Sequence, residues 1–250
     1  MFYLKQNKSF KNYIILSDFD RTLTTSDSPS SWDVLSTIGK FSSYYHQEVE
    51  KLHQKYRPIE LDESLAINIK MNAMEKWWQS HIDLLIAQKF HKSDLKKINH
   101  NHLKLRNGVK EFLTKIAQLD IPIIIVSAGI GNVIESFFKK NNCFFKNMHI
   151  VSNYIKFENN LAIGLENKMI HSLNKNNIDF PFNINHKNII LFGDIISDIK
   201  MIPEDKQKNA LKIAFIDSKN IENLTYFLNE YDIVGVDEDF NTLNEKIKLY

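Results

Sequence analysis

The sequence contains a single cysteine, Cys143, in a chain of 250 residues. A disulfide within the chain needs two cysteines, so no internal disulfide can form. A zinc site built from cysteine thiolates is excluded for the same reason. A lone cysteine is typical of a protein that works in a reducing compartment.

Long apolar runs are also missing. No segment approaches the roughly 18 consecutive apolar residues that a membrane-spanning helix needs. The N-terminal stretch MFYLKQNKSFKN has no apolar region followed by a small-residue cleavage site, which is the pattern of a secretion signal. These absences predict a cytoplasmic protein that does not associate with a membrane.

The chain has little net charge, +2 by formal count. Its basic residues are scattered and are almost all lysines, with Arg21, Arg57 and Arg106 as the only arginines. This balance predicts a solvated surface and no nucleic-acid partner. Hydrophobic residues make up 43% of the chain, which is enough for one large domain or for a domain with an inserted module.

One stretch joins apolar and acidic residues abruptly. The apolar run 14–16 predicts a buried strand, and Asp18 and Asp20 follow it, with hydroxyl residues after them. Ligands of parallel α/β sheets lie beyond the carboxyl ends of the strands. Two carboxylates at such a place repel each other, and a hard divalent cation would remove that repulsion. The stretch therefore suggests a magnesium site with a carboxylate nucleophile beside a carboxylic acid.

Two further predicted strands end in residues that suit phosphate chemistry. The run 121–126 ends in Ser127-Ala128-Gly129 at a predicted helix start, where backbone N–H groups favour an anion. The run 188–192 is followed by Asp194 and Asp198. Because a parallel sheet brings the carboxyl ends of its strands to one edge, we expect these residues to form one site.

The remaining pattern divides the chain into two parts. Residues 36–105 predict helices alone, including a helix that starts at Ser42 and is stopped by Pro58. Elsewhere strands alternate with helices, and we expect a short hairpin around 158–160 and a helix over 169–174. We predict an α/β fold: a doubly wound, Rossmann-like, mostly parallel sheet formed by 1–35 and 106–250, with an all-helical insert at 36–105.

Several motifs resemble a known superfamily. DFDRTLT resembles motif I of the haloacid dehalogenase (HAD) superfamily of phosphatases, and VSAGIG and GDIISD resemble its motifs II and IV. Longer stretches resemble the cytosolic 5′-nucleotidase III family, the pyrimidine 5′-nucleotidases: YIILSDFDRTLT, KYRPIE, IPIIIVSAGIGNVIE, HIVSNYIKF, MIHSLNK and YDIV. The resemblance covers most of the chain and implies a HAD-like core with residues 36–105 as its helical cap.

The resemblance implies a role for each acidic residue at the strand ends. Asp18 matches the nucleophile that forms an aspartyl-phosphate, and Asp20 matches the general acid and base. Mg²⁺ would be held by the Asp18 carboxylate, the Asp20 backbone carbonyl and Asp194. Asp198 would orient the waters of the metal.

The resemblance also implies which residues bind the phosphate and the nucleoside. Ser127, the Ala128 backbone and Lys175 match the phosphate-binding groups. For the nucleoside, the candidates are the cap residues Glu60, Trp77 and His81, with Trp32 on the entry loop as a second aromatic face. Two choices stay open: Trp77 or its neighbour Trp78, and His81 or the adjacent Ser80.

Together these observations predict a magnesium-dependent 5′-nucleotidase that releases phosphate from nucleoside 5′-monophosphates. Pyrimidine substrates are preferred, and 7-methylguanosine monophosphate is a further candidate. We expect a monomer or a weak homodimer. The alternatives are another small-molecule phosphatase of the superfamily, of the phosphoserine type, and a binding module without catalysis. The latter has no use for an acid/base residue such as Asp20.

Overall fold

The computed structural model describes residues 12–184, 188–237 and 239–246. The prediction that the chain carries no secretion signal concerns the first twelve residues, and eleven of these lie outside the described residues. The two ends of the predicted core, 1–11 and 247–250, lie outside them as well.

The described strands form one parallel sheet and one hairpin. In chain order they are β1 (Tyr13–Ser17), β2 (Ile123–Ile130), β3 (Met148–Asn153), β4 (Ile155–Glu158), β5 (Leu161–Leu165), β6 (Asn188–Gly193), β7 (Leu211–Ile216) and β8 (Ile233–Val236). The sheet has the order β3-β2-β1-β6-β7-β8, and all its pairs are parallel. Strands β4 and β5 form the antiparallel hairpin. The α/β prediction is confirmed.

Helices connect the strands and build the insert. They are α1 (Ser31–Ser36), α2 (Ser43–Leu61), α3 (Ile67–Ala87), α4 (Val109–Gln118), α5 (Gly131–Lys140), α6 (Leu224–Glu230) and α7 (Phe240–Lys246). Short 3-10 helices cover Lys92–Lys97, His100–His102, Ile196–Met201, Glu204–Asn209 and Ser218–Asn223.

Strand β1 is central and is buried on both faces. Successive side chains of a strand point to opposite faces, and here Ile15 packs into the hydrophobic core on one side while Ile14 and Leu16 pack into the core on the other. Its neighbours are β2 on one side and β6 on the other. The chain order reverses at β1, so the residues that follow β1 lie at the switch point where such sheets bind ligands.

The segment between β1 and β2 contains helices and turns but no strand, as far as residues 12–184 are concerned. Helices α2 and α3 enclose a small hydrophobic cluster of their own, formed by Tyr56, Ala73, Met74 and Trp77. Other buried side chains of the two helices, Tyr45, Ile82 and Leu85, belong to the main core cluster instead.

Three local predictions are wrong, in addition to the entry loop expected at Trp32, which lies on α1. Helix α2 continues through Pro58 to Leu61, because a proline one turn before the end of a helix removes only one hydrogen bond and its carbonyl still accepts from the Asp62 N–H. Strand β2 does not end at residue 126 but extends to Ile130, across an irregular register.

The third wrong prediction is the helix over 169–174, which the structure replaces with turns. Two amide side chains take the backbone groups that a helix would use. Asn153 bonds both the N–H and the carbonyl of Ile170, and Asn174 bonds the His171 N–H and the Met169 carbonyl. Side-chain amides compete with helical hydrogen bonds in this way.

Candidate active site

Asp18 follows β1 at the middle of the sheet and is buried. Its Oδ1 accepts a hydrogen bond from the Nζ of Lys175 at 2.5 Å, and the same ammonium donates to Oδ1 of Asp198 at 2.7 Å. Burial raises the pKa of Asp18 well above its ordinary value, and the charges of Asp198 and Asp194 raise it further, against the lowering effect of Lys175. One buried cation thus faces two buried carboxylates.

Three carboxylates form a cluster that fits a divalent metal ion. Asp18, Asp194 and Asp198 each offer an oxygen atom, and these atoms lie within 4.8 Å of one another. Burial and the charge of Asp198 raise the pKa of Asp194 to about 7. A divalent cation would relieve this repulsion, and an all-oxygen set is what hard cations prefer.

Asp198 is fixed more tightly than the other two members of the cluster. While its Oδ1 accepts from Lys175, its Oδ2 accepts from the backbone N–H groups of Asp194 and Ile195, at 3.0 and 3.2 Å. Both oxygens are therefore already engaged. The structure brings Asp198 to the cluster and leaves Asp194 as the less engaged carboxylate.

The Asp20 carboxylate is not a member of the cluster and turns towards α1. The backbone N–H of Ser31 donates to its Oδ1 at 2.8 Å, and the Ser31 hydroxyl donates to its Oδ2 at 2.9 Å. Burial raises the pKa of Asp20 to about 6, although the bonds from Ser31 lower it. A carboxyl group that titrates near neutral pH suits proton transfer in both directions. Metal binding by the Asp20 carbonyl stays a prediction.

Gly129 is required by close approach. A Cβ at this position would lie 1.8 Å from the Ser31 Oγ and 2.9 Å from Asp20 Oδ2. Ser127 is buried, and its Oγ accepts from the Gly129 N–H at 3.0 Å. The Ala128 carbonyl accepts from the indole Nε1 of Trp32 at 3.0 Å and of Trp78 at 2.8 Å. This segment lies within β2, so its backbone, not a helix start, faces the site.

A cavity of about 440 Å³ connects the carboxylates with the helical insert. Its lining includes these predicted site residues: Asp18, Asp20, Trp32, Glu60, Trp77, His81, Ser127, Ala128, Lys175 and Asp194. The predicted residues from the sheet edge and those from the insert therefore share one space. That volume falls within the range of small-molecule sites.

Aromatic rings occupy the insert side of this cavity. The His81 ring lies 5.2 Å from the ring of Trp32 and 6.3 Å from that of Trp77, between centroids. Both Trp77 and Trp78 line the cavity, and their rings meet edge to face. Ser80 donates back to the Lys76 carbonyl and does not line the cavity. Of the open pair His81 and Ser80, the structure places His81 at the cavity.

Glu60 lines the cavity with both carboxylate oxygens engaged. Its Oε2 accepts from the guanidinium of Arg57, and its Oε1 accepts from the hydroxyl of Ser172. Ser172 belongs to the turn that precedes Lys175, so this bond links the insert to the core. Arg57 and Ser172 both line the cavity.

Ser31 and Ser172, which hold Asp20 and Glu60, are not among the residues predicted from the sequence. For Ser31 a weak signal exists, because Ser30 caps α1 and places the next residue at a helix start beside the sheet edge. For Ser172 no local pattern exists. Its partner Glu60 is 112 residues away in the chain.

His81 is expected to make the fold sensitive to acid. Burial lowers its pKa from an ordinary 6.5 to about 4; the charge of His53 adds to this and that of Asp33 opposes it. The unfolded chain therefore takes up a proton first, and the folded state loses stability as the pH falls from 6.5 towards 4. Urea unfolding at pH 7.5 and at pH 5 measures how much the free energy of unfolding falls between the two pH values. We expect this fall to be about 1–2 kcal/mol smaller in His81→Gln than in wild type. Equal losses in both proteins would contradict this.

Among the described residues, no helix is both long and apolar enough to cross a bilayer.

The chain is similar in sequence to several known proteins. At 34% identity over 247 residues, it is similar to the 7-methylguanosine phosphate-specific 5′-nucleotidase of Mus musculus, with 92% of this chain and 82% of the mouse protein covered. The Drosophila melanogaster protein of the same name is 32% identical over 243 residues, covering 90% of this chain and 75% of its own length.

A solved structure agrees with these relatives. The chain matches cytosolic 5′-nucleotidase IIIB bound to cytidine with a TM-score of 0.85 and 28% identity, covering 95% of this chain and 85% of that one. A phosphoserine phosphatase matches with a TM-score of 0.57 at 18% identity, and this likeness shows the shared HAD fold alone.

The sequence profile of the pyrimidine 5′-nucleotidase (UMPH-1) family matches residues 15–248. That range runs from the middle of β1 past the last described residue. The resemblance inferred from the motifs is confirmed, and the chain belongs to the pyrimidine 5′-nucleotidase (UMPH-1) family.

Proposed function

We propose that this protein is a magnesium-dependent 5′-nucleotidase that hydrolyses nucleoside 5′-monophosphates to nucleoside and phosphate. The observation that carries the proposal is the shared cavity. It is lined by Asp18, Lys175 and Asp194, which suit a phosphate and a metal, and by Trp77 and His81, which suit a flat heterocycle. A phosphoserine-type pocket has no need of these aromatic rings.

In this proposal Asp18 attacks the phosphorus and Asp20 handles the protons. Attack by the Asp18 carboxylate forms the aspartyl-phosphate while the bond from phosphorus to the nucleoside oxygen breaks. Protonated Asp20 gives its proton to that leaving oxygen, and then accepts a proton from the water that hydrolyses the intermediate. Its hydrogen bonds with Ser31 hold the carboxyl group in place for both steps.

Asp18, Asp194 and the Asp20 backbone carbonyl would hold the Mg²⁺, whose charge would offset that of the phosphate and of Asp18. Asp198, with both oxygens engaged, would orient the metal's waters. Lys175 supplies a fixed positive charge at Asp18, where the phosphate would bind.

We propose that residues 36–105 form a cap that carries substrate selectivity. The separate hydrophobic cluster between α2 and α3 supports this assignment. Within the cap, Glu60 would accept hydrogen bonds from the base, and Trp77 and His81 would contact its faces, with Trp32 opposite. The names of the relatives favour 7-methylguanosine and pyrimidine monophosphates as substrates. Cytoplasmic location and a monomer or weak homodimer stay predictions.

A phosphate-release screen tests the proposal. The protein is incubated with cytidine, uridine, guanosine, adenosine and 7-methylguanosine 5′-monophosphates and with phosphoserine, each with Mg²⁺ or with EDTA. We expect phosphate release from at least one pyrimidine or 7-methylguanosine substrate and little release from phosphoserine. When EDTA removes the metal, the rate of release should fall by at least about 100-fold. Faster release from phosphoserine than from every nucleotide would favour the alternative phosphatase, and full activity in EDTA would overturn the metal assignment.

A further inference from the structure

Three side-chain N–H groups converge on a single backbone oxygen beside the catalytic cavity. The Ala128 carbonyl accepts from Trp78 Nε1 at 2.8 Å, from Asn153 Nδ2 at 2.9 Å and from Trp32 Nε1 at 3.0 Å. A carbonyl oxygen has two lone pairs, so three donors saturate it. We call this arrangement the Ala128 anchor.

The three donors come from different parts of the fold. Trp32 lies on α1, Asn153 ends β3, and Trp78 lies on α3 in the helical insert. Asn153 also bonds the N–H and the carbonyl of Ile170, close to the turn that carries Lys175. The anchor therefore joins α1, β3 and α3 at one atom, and Asn153 connects that atom to the segment that precedes Lys175.

The anchor acts on Ser127 through one peptide unit. The Ala128 carbonyl and the Gly129 N–H belong to the same planar group, so fixing the oxygen also fixes the direction of the N–H. That N–H donates to the Ser127 Oγ at 3.0 Å. Since the Ser127 oxygen accepts this bond, its hydroxyl proton is free to donate to an anion in the cavity. Such chains of hydrogen bonds polarise one another.

The anchor also changes the local charge. A bare carbonyl oxygen beside a phosphate would repel it, whereas an oxygen covered by three N–H groups presents less negative potential. We propose that Trp78 is a positioning residue: through its indole N–H, the position of the insert sets the geometry of the phosphate-binding Ser127 hydroxyl. The identification of the anion as a substrate phosphate rests on the proposed function.

Trp78→Phe tests this role, because phenylalanine keeps an aromatic face and deletes the N–H. The chain offers a matched control in the adjacent Gln79, an exposed residue of α3 whose Nε2 donates to Asp83 Oδ1 and which does not line the cavity. Isothermal titration of wild type and variants with inorganic phosphate, in the presence of Mg²⁺, measures anion affinity without turnover. We expect the phosphate dissociation constant to rise about three- to tenfold in Trp78→Phe and to stay within about twofold in Gln79→Leu, which also deletes an N–H donor of α3.

Kinetics provide the second readout. If Trp78 acts on the phosphate, the KM of Trp78→Phe rises by a similar factor for a nucleotide and for p-nitrophenyl phosphate, which has no nucleoside. A rise for the nucleotide alone, with unchanged phosphate affinity, would overturn the proposal and make Trp78 only a base contact. Should Trp78→Phe fail to fold, Trp32→Phe deletes a second donor, and unchanged phosphate affinity there would likewise overturn it.

Failure of the proposed function would look different. A wild-type protein that binds phosphate but hydrolyses no nucleotide would contradict the 5′-nucleotidase assignment, while weaker phosphate binding by Trp78→Phe would still support the anchor. A wild-type protein that binds no phosphate in the titration would overturn the anchor's role directly.

Discussion

Asp18→Asn is expected to lower phosphate release from a nucleoside monophosphate by at least about 10⁴-fold. An amide oxygen is a poor nucleophile and cannot form the acyl-phosphate, so the proposed first step has no route. The loss should appear in kcat with any substrate that the wild-type protein accepts. It is measured as released inorganic phosphate under saturating nucleotide and Mg²⁺.

The same substitution should leave the fold intact. Burial raises the pKa of Asp18 well above its ordinary value, which means that the folded state disfavours the ionised carboxylate. A neutral amide of the same shape keeps an oxygen for Lys175 Nζ and can place its NH₂ group towards the Thr22 hydroxyl, now 3.5 Å from Asp18 Oδ2. We therefore expect the Tm of metal-free Asp18→Asn to equal or exceed that of metal-free wild type.

Asp83→Asn is the matched control for Asp18→Asn. Asp83 is exposed on α3, where its Oδ1 accepts from Gln79 Nε2, and it does not line the cavity. Its removal should change neither kcat nor Tm beyond error. If Asp18→Asn kept more than about one per cent of wild-type kcat, Asp18 would not be the nucleophile.

The parts of the fold that the sequence predicted well are those with strong local patterns. Strand β1 contains a run of buried apolar residues and ends directly before Asp18. Strand β6 likewise contains a run of buried apolar residues and ends directly before Asp194. Because β1 and β6 are parallel neighbours in the sheet, their carboxyl ends lie side by side. The sequence therefore predicted that Asp18 and Asp194 would be neighbours, and the structure brings them within 4.8 Å.

Two of the wrong local predictions, at 169–174 and at the end of β2, have their cause in a residue that is distant in sequence. The turns at 169–174 form because Asn153, distant in sequence, takes the backbone groups of Ile170. The residue pattern within 169–174 contains no information about Asn153, which lies on β3. Likewise, β2 extends past residue 126 because Ile130 pairs with Asn153 after an irregular register, which is a tertiary event.

The residues of the site also divide into those that the sequence predicts and those that depend on distant partners. The acidic residues Asp18 and Asp194 could be found from the sequence because they follow apolar strands, and Lys175 could be found because its stretch resembles the family motif. Ser31, Ser172 and Asn153 could not, because hydroxyl and amide groups are common and only their distant partners make them informative. The indole N–H of Trp78 belongs to this second group, since its role depends on meeting the Ala128 carbonyl 50 residues away.

Lys175→Met should destabilise the protein by about 3–5 kcal/mol. The Lys175 side chain is 3% exposed, and its ammonium is paired with Asp18 and Asp198, whose side chains are 7% and 0% exposed. Methionine fills a similar volume but leaves both carboxylates without their buried cation, and removing one member of a buried ion pair exposes the other to the full desolvation penalty. Urea unfolding at pH 8 with EDTA measures the loss, and turnover should fall as well.

Lys40→Met is the matched control for Lys175→Met. Lys40 also pairs with a buried carboxylate, Asp94, but Asp94 keeps Lys97 and the His91 N–H as partners when Lys40 is lost. We therefore expect Lys40→Met to lower the free energy of unfolding by no more than about 1 kcal/mol, with unchanged turnover.

The pH dependence of Lys175→Met separates lost charge from lost packing. Lys175 lowers the pKa of Asp18 against the effect of burial. Without it the pKa of Asp18 rises further, so the folded variant takes up a proton at a higher pH than the unfolded chain and gains stability as the pH falls. The deficit relative to wild type should thus be smaller at pH 5.5 than at pH 8. A deficit that is independent of pH would mean that Lys175 supports the fold by packing alone, and its proposed role as the buried counter-charge of Asp18 would be lost.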